Sequence, residues 1–95
     1  MGDLDYTVKE MERYGKEETL LSPRNPNTYA EYSNTLVLEG KYFEALIELE
    51  KAFNITPSNY SLNVKIIDVA RKIGDPKSID EKIRRAKAIF PKMNF

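Results

Sequence analysis

Cysteine and histidine are both missing from the 95 residues of this chain. Without cysteine the chain can form no disulfide, no thiolate nucleophile and no cysteine-ligated metal site. Without histidine it has no imidazole base and no histidine-bearing metal site. A Gly-x-x-x-x-Gly-Lys phosphate loop and a Gly-x-Ser-x-Gly elbow are also missing. These absences predict that the protein is not an enzyme and holds no cofactor and no metal.

Long apolar runs are missing as well. No stretch approaches the roughly 20 apolar residues that span a bilayer. The first five residues include Asp3 and Asp5, whereas a secretory signal begins with basic residues followed by an apolar segment. We therefore expect no membrane insertion and a cytoplasmic location.

The net charge is zero, but the charges are unevenly distributed. Residues 1–50 contain 11 acidic and 5 basic side chains, a net of −6, and residues 51–95 contain 4 acidic and 10 basic side chains, a net of +6. Such an imbalance concerns association rather than fold. It fits either a functional charged surface or chance differences between solvated helix faces.

Prolines recur along the chain at one fixed spacing. Pro23, Pro57 and Pro91 are evenly separated and each follows an aliphatic residue by two positions, and Gly40 and Gly74 have the same separation. A fixed period of about 20 to 50 residues is the sequence signature of repeat architectures. The chain is therefore expected to contain repeats, with a period equal to the proline spacing.

Within one period, apolar and small residues follow helical spacing on two segments. One stripe comprises Tyr29, Tyr32, Ser33 and Leu36, and the other comprises Ala45, Leu49 and Ala52. Thr28 and Glu31 form a capping-box pattern, which predicts the start of the first helix. Gly40 is expected to end that helix and Pro57 the second, with Glu48 exposed.

The next period predicts a second pair of helices. A helix over 62–73 ends at Gly74, and Asp75 and Pro76 have the residue types of an N-cap and a first helical position. The helix that follows is expected to bury its apolar stripe, Ile79, Ile83, Ala86 and Phe90. Upstream, residues 5–21 read as either one bent helix or two short ones, because Gly15 interrupts the pattern.

Residues 26–59 resemble a tetratricopeptide repeat, which is a helix hairpin of about 34 residues. The family places large aromatic, aliphatic and small residues at set positions, occupied here by Tyr29, Tyr32, Ser33, Leu36, Ala45, Leu49, Ala52 and Pro57. Residues 60–93 fit less well, since Asn63 stands in an aromatic place. The segment before residue 26 matches only at Leu21 and Pro23.

The resemblance implies an all-α fold, a helix-hairpin repeat solenoid with a right-handed superhelix and about two and a half repeats. We expect a single domain over 1–95. Its parts are a degenerate half repeat or cap at 1–25, a repeat at 26–59 and a repeat at 60–95.

The resemblance also implies a protein-interaction scaffold that binds a peptide or partner helix in a concave groove. The positions it turns toward the groove are Asn27, Ala30, Asn34, Leu38, Ser61, Val64, Lys65, Asp68 and Lys72, and all of these except Ala30 and Val64 are predicted to contact the partner. One subset of the family grips a carboxylate with lysine and asparagine. Here Ala30 and Lys65 occupy the lysine and asparagine places, so we do not expect that specificity.

A basic segment supports an alternative function. Lys82, Arg84, Arg85 and Lys87 fall within six residues and are flanked by Lys77 and Lys92. This charge is enough for phosphate contacts, so residues 77–92 could serve a nucleic-acid-binding accessory protein. The same charges also fit the solvated outer face of a repeat helix.

The C-terminal segment predicts self-association. Its apolar residues have no following helix to cover them, namely Ile83, Ile89, Phe90, Met93 and Phe95. Exposed apolar patches commonly mark interfaces. We therefore expect a homo-oligomer through the C-terminal helix, either a twofold dimer or, because the two halves are oppositely charged, a head-to-tail stack.

Overall fold

The computed structural model describes the backbone of residues 2–95 and the side chains from residue 6 onward. In this part of the chain there are five α-helices and no strand, and helix accounts for 79% of the protein. The helices are α1 (Gly2–Leu21), α2 (Pro26–Leu38), α3 (Tyr42–Ile55), α4 (Tyr60–Ile73) and α5 (Pro76–Ile89). The prediction of an all-α fold is confirmed.

Helix boundaries recur with the period of the prolines. The starts of α2 and α4 are one period apart, and so are the starts and the ends of α3 and α5. The principal packing joins consecutive helices, α1 with α2, α2 with α3, α3 with α4, and α4 with α5. The molecule is accordingly elongated, with extents of 44 × 28 × 17 Å.

Two asparagines, not the predicted capping box, begin α2 and α4. The side chain of Asn25 accepts a hydrogen bond from the Asn27 amide at 3.0 Å, and that of Asn59 accepts one from the Leu62 amide at 3.0 Å. Thr28 lies inside the first turn of α2, where its hydroxyl donates to the Asn25 carbonyl. The capping-box prediction was wrong because an extended asparagine followed by Pro26 is itself a complete helix start.

The predicted glycine turns and the start of α5 are confirmed. Gly40 and Gly74 have φ values of 74° and 86°, in the region that favours glycine. After α2, the Lys41 amide bonds to the Leu36 carbonyl and the Gly40 amide to the Val37 carbonyl, which is the Schellman pattern. At the start of α5, Asp75 accepts from the Lys77 amide at 3.2 Å.

Gly15 lies within one continuous helix and marks a close approach between α1 and α2. A Cβ at this position would lie 2.9 Å from a ring carbon of Tyr32 and 3.3 Å from its Cα. Glycine therefore allows the two helices to pack closely. Of the two predicted alternatives, the structure therefore has one continuous helix, Gly2–Leu21, rather than two short ones.

An ion-pair cluster also attaches α1 to the turn after α2. Lys41 Nζ lies 3.1 Å from the carboxylate of Glu12 and 3.3 Å from that of Glu39. Burial would raise the pKa of Glu12, but its hydrogen bonds with Lys41 and Glu39 lower it below the ordinary value. For Glu39, burial and the contact with Glu12 raise the pKa.

The core runs through the middle of the helix stack. Its buried apolar residues are Tyr29, Leu36, Ala45, Leu49, Ala52, Leu62, Ile66 and Val69. Ser33, Ala45 and Ala52 are fully buried, as expected for small residues where helices approach closely. Glu48 was expected to be exposed but is buried, and it pairs with Lys51 at 2.7 Å.

Tyr29 and Asn63, which occupy equivalent positions one period apart, make the same tertiary connection. The Tyr29 hydroxyl donates to the carbonyl of Pro23 at 2.6 Å, and the Asn63 amide donates to the carbonyl of Pro57 at 3.0 Å. Each donor lies six residues after its proline. Asparagine therefore replaces the aromatic residue without losing the bond to the preceding loop.

Burial along α5 is lower than predicted. Ala86 is buried, whereas Ile79, Ile83 and Phe90 are only half-buried. Burial is lower because α5 is the last of the five helices and packs mainly on α4 alone.

The chain covers part of its own C-terminal end. The ring of Tyr60 lies 5.5 Å from that of Phe90 and 5.6 Å from that of Phe95. Of the five apolar residues expected to lack cover, Met93 is exposed, at 44%, and the other four are half-buried.

Candidate functional site

Helices α2 and α4 line a cavity of about 300 Å³ that opens on one face of the molecule. We call it the α2–α4 groove. Five of the residues predicted to contact a partner line it: Asn34, Leu38, Lys65, Asp68 and Lys72. Its other lining residues include Val37, Leu49 and Val69, which are buried or half-buried.

The two remaining predicted residues, Asn27 and Ser61, line an adjoining cavity of about 110 Å³. Lys65 belongs to both cavities. All seven predicted residues therefore meet on one face. The spacing explains this result, since Asn27, Asn34 and Leu38 are separated by seven and four positions and lie on one side of a helix.

The polar groups of the α2–α4 groove are partly prearranged. Lys65 Nζ lies 3.5 Å from the Asn34 side-chain oxygen, and this contact bridges the two helices. Lys72 Nζ lies 5.8 Å from the centre of the Tyr42 ring. Together with the apolar lining, these cations suit a partner that presents an apolar side chain beside an acidic group.

A third cavity, of about 400 Å³, lies between α1 and α2 and was missed by the sequence reasoning. We call it the α1–α2 groove. It is lined by Met11, Tyr14 and Leu38, with Glu18 and Glu31 beside them. It shares Asn34 and Leu38 with the α2–α4 groove, so the two grooves form one continuous surface.

A helical pattern in the first 25 positions could have revealed the α1–α2 groove. Met11, Tyr14 and Glu18 are separated by three and four positions, which places them on one face of α1. The family positions used to choose the other site residues do not extend into this segment. Sequence reasoning therefore treated the segment as a degenerate half repeat or a cap.

Much of the basic charge on α5 is paired within the chain. The Arg85 guanidinium makes two hydrogen bonds to the Glu50 carboxylate, at 2.9 and 2.8 Å, and Lys82 lies 2.8 Å from the same carboxylate. Arg84 pairs with Asp80 on the surface of the same helix. The other basic residues of this segment are Lys77, Lys87 and Lys92. None of these three forms an ion pair with another described side chain.

The Glu50 cluster connects α3 to α5. Burial would raise the pKa of Glu50, but the hydrogen bonds from Arg85 and Lys82 outweigh burial and lower it. The Arg85 guanidinium also stacks over Phe53, 3.7 Å from the ring centre. Arg85 thus contributes to packing between helices as well as to the charge of the surface.

No acidic metal cluster and no membrane-spanning helix occur in the described part of the chain. No cluster of three or more acidic side chains there is arranged to hold a metal ion. Within the same residues, none of the helices is long and apolar enough to cross a membrane.

Comparison with known proteins found no family model and no curated protein that match the chain. The resemblance to tetratricopeptide repeats therefore rests on the residues of this sequence. The site residues that this resemblance predicts line the α2–α4 groove and the smaller cavity beside it.

Proposed function

We propose that this protein is an interaction module of the tetratricopeptide type, with about two and a half helix-hairpin repeats stacked as a solenoid. It binds a peptide or a helix of another protein in the α2–α4 groove and does not catalyse a reaction. The observation that carries the proposal is the meeting of all seven predicted residues on one face, around Lys65.

The recurrence of local structure supports the repeat part of the proposal. Asn25 and Asn59 cap equivalent helices, and Gly40 and Gly74 end equivalent helices with positive φ. Such recurrence is expected when hairpins stack and bury each other's apolar faces.

Two exposed apolar residues, one leucine and one phenylalanine, provide a matched test of the binding site. Leu38, 68% exposed, belongs to both grooves, whereas Phe43, 71% exposed, lines neither. Peptides selected on the wild-type protein from a random twelve-residue phage library should lose binding to Leu38→Glu and keep it with Phe43→Glu. The proposal fails if no peptide is enriched, or if both variants bind the selected peptides as well as the wild type does.

Nucleic-acid binding through residues 77–92 remains the second candidate, carried by exposed Lys77, Lys87 and Lys92. The pairing of Arg85 and Lys82 with Glu50 reduces the charge available to phosphates. Binding to generic RNA at low salt that weakens steeply as salt rises would support this alternative.

Self-association through the C-terminal helix and a cytoplasmic location remain predictions. The apolar end of the chain is partly covered by its own aromatic rings, and the most exposed apolar side chains lie elsewhere, including Leu20, Leu21 and Phe43. Light scattering at several concentrations tests association, and a constant mass near 11.0 kDa would contradict it.

A further inference from the structure

We propose that the two grooves flanking α2 bind a single extended segment with two apolar side chains three residues apart. A basic residue flanks the apolar side chain in the α1–α2 groove, and an acidic residue flanks the one in the α2–α4 groove. This inference rests on the proposed function and specifies the chemistry of the partner.

The two grooves offer one apolar site each. Met11, Tyr14 and Leu38 supply apolar surface to the α1–α2 groove, and Val37 and Val69 supply it to the α2–α4 groove. Their volumes, about 400 and 300 Å³, are near the lower end of the range for small ligand pockets. Each groove therefore has room for an apolar side chain of a bound segment.

The separation of the grooves sets the spacing of the two apolar residues. The grooves lie on either side of α2, and a helix with its side chains is about 10 Å across. A chain extended in the polyproline II conformation advances about 3.1 Å per residue and makes one turn in three residues, so side chains three residues apart point the same way. Three residues of extended chain therefore carry the second side chain from one groove to the other.

Charge distinguishes the two grooves. Exposed Glu18 and Glu31 lie at the α1–α2 groove, and no described side chain forms an ion pair with either of them. Lys65 and Lys72 lie at the α2–α4 groove with a single acid, Asp68. A segment of one sign would be repelled at one groove, whereas a segment with opposite charges at its two ends matches both.

Four synthetic peptides test the match without assuming which way the chain runs. They are Ser-Lys-Leu-Ser-Ser-Leu-Glu-Ser, its charge-exchanged form Ser-Glu-Leu-Ser-Ser-Leu-Lys-Ser, and the two forms with lysine at both flanks or glutamate at both flanks. Binding is measured by fluorescence anisotropy at low ionic strength, where screening is weakest. One of the mixed-charge peptides should bind the wild-type protein roughly fivefold more tightly than either like-charged peptide.

Charge reversal within each groove should change the preferred peptide. The variant Glu18→Lys/Glu31→Lys makes both grooves basic and should prefer the peptide with two glutamates. The variant Lys65→Glu/Lys72→Glu makes both acidic and should prefer the peptide with two lysines. A control matched to the first variant, Glu17→Lys/Glu44→Lys, makes the same change in net charge at exposed positions outside both grooves and should keep the wild-type preference.

The outcomes separate this inference from the proposed function. Equal binding of all four peptides, or none of them binding while library peptides still depend on Leu38, would overturn the inference and leave the proposed function standing. If library peptides bind independently of Leu38, the proposed function itself is wrong. A change of preference in the control variant would show that net charge, not the grooves, selects the peptide.

Discussion

The hairpin of α2 and α3 and the hairpin of α4 and α5 have equivalent starts but different surroundings. Equivalent helices begin one repeat period apart, yet α3 packs between α2 and α4, whereas α5 packs mainly on α4. Leu49 is fully buried, and its counterpart Ile83 is half-buried. The comparison shows that the sequence pattern determines where the helices begin and end. The helices that pack on each side determine how deeply the equivalent faces of α3 and α5 are buried.

The largest expected effect comes from truncating equivalent side chains in the two hairpins. Leu49→Ala should lower the free energy of unfolding by about 2–5 kcal/mol, because it leaves a cavity between three helices. Ile83→Ala should cost less than half as much, since this side chain is already half-solvated. Urea unfolding measures both free energies, and equal losses of stability would contradict the difference in burial between the two hairpins.

Enlarging a residue at a close helix contact should have the next largest effect. Ala45 is fully buried, so Ala45→Leu should cost about 1–3 kcal/mol through overpacking. The counterpart in the second hairpin, Ile79, is half-buried, and Ile79→Leu should change stability little. Thermal unfolding of the two variants measures the difference. An unchanged midpoint for Ala45→Leu would contradict a close helix contact at this position.

The hydrogen bonds from Asn63 and Tyr29 test whether different side chains play one role. Asn63→Ala should cost about 1–2 kcal/mol, because it leaves the carbonyls of Pro57 and Asn59 without this donor. Tyr29→Phe, which removes only the hydroxyl bonded to Pro23, should cost about 1 kcal/mol. Chemical unfolding provides both values, and a neutral result for either variant would show that the shared connection is not needed for stability.

The smallest expected loss of stability, below about 1 kcal/mol at neutral pH, belongs to the ion pairs between the hairpins. Because the folded-state pKa of Glu50 is lowered, its stabilisation is present above the ordinary value of 4.5 and is lost as the pH falls through the folded-state value. The stability difference between the wild type and Glu50→Gln should therefore shrink in acid. A difference that is constant from neutral pH to below 4.5 would contradict this assignment.

Sequence reasoning was most successful where local chemistry determines structure. The proline period, the helical stripes and the glycine turns were enough to place α2 to α5, and the family resemblance selected the residues that line the two cavities sharing Lys65. It failed where the packing of neighbouring helices determines burial, as with buried Glu48 and half-buried Ile83. The α1–α2 groove was missed for a similar reason, since a groove belongs to two helices and the pattern in α1 gives no sign of what packs beside it.

The most direct test of the binding face is a nuclear magnetic resonance titration of the isotopically labelled protein with a peptide selected from the library. The account predicts that the largest amide shift changes occur on α2 and α4, at Asn34, Leu38, Lys65, Asp68 and Lys72. Changes concentrated in residues 77–92, or on the exposed surface around Leu20 and Phe43, would contradict it.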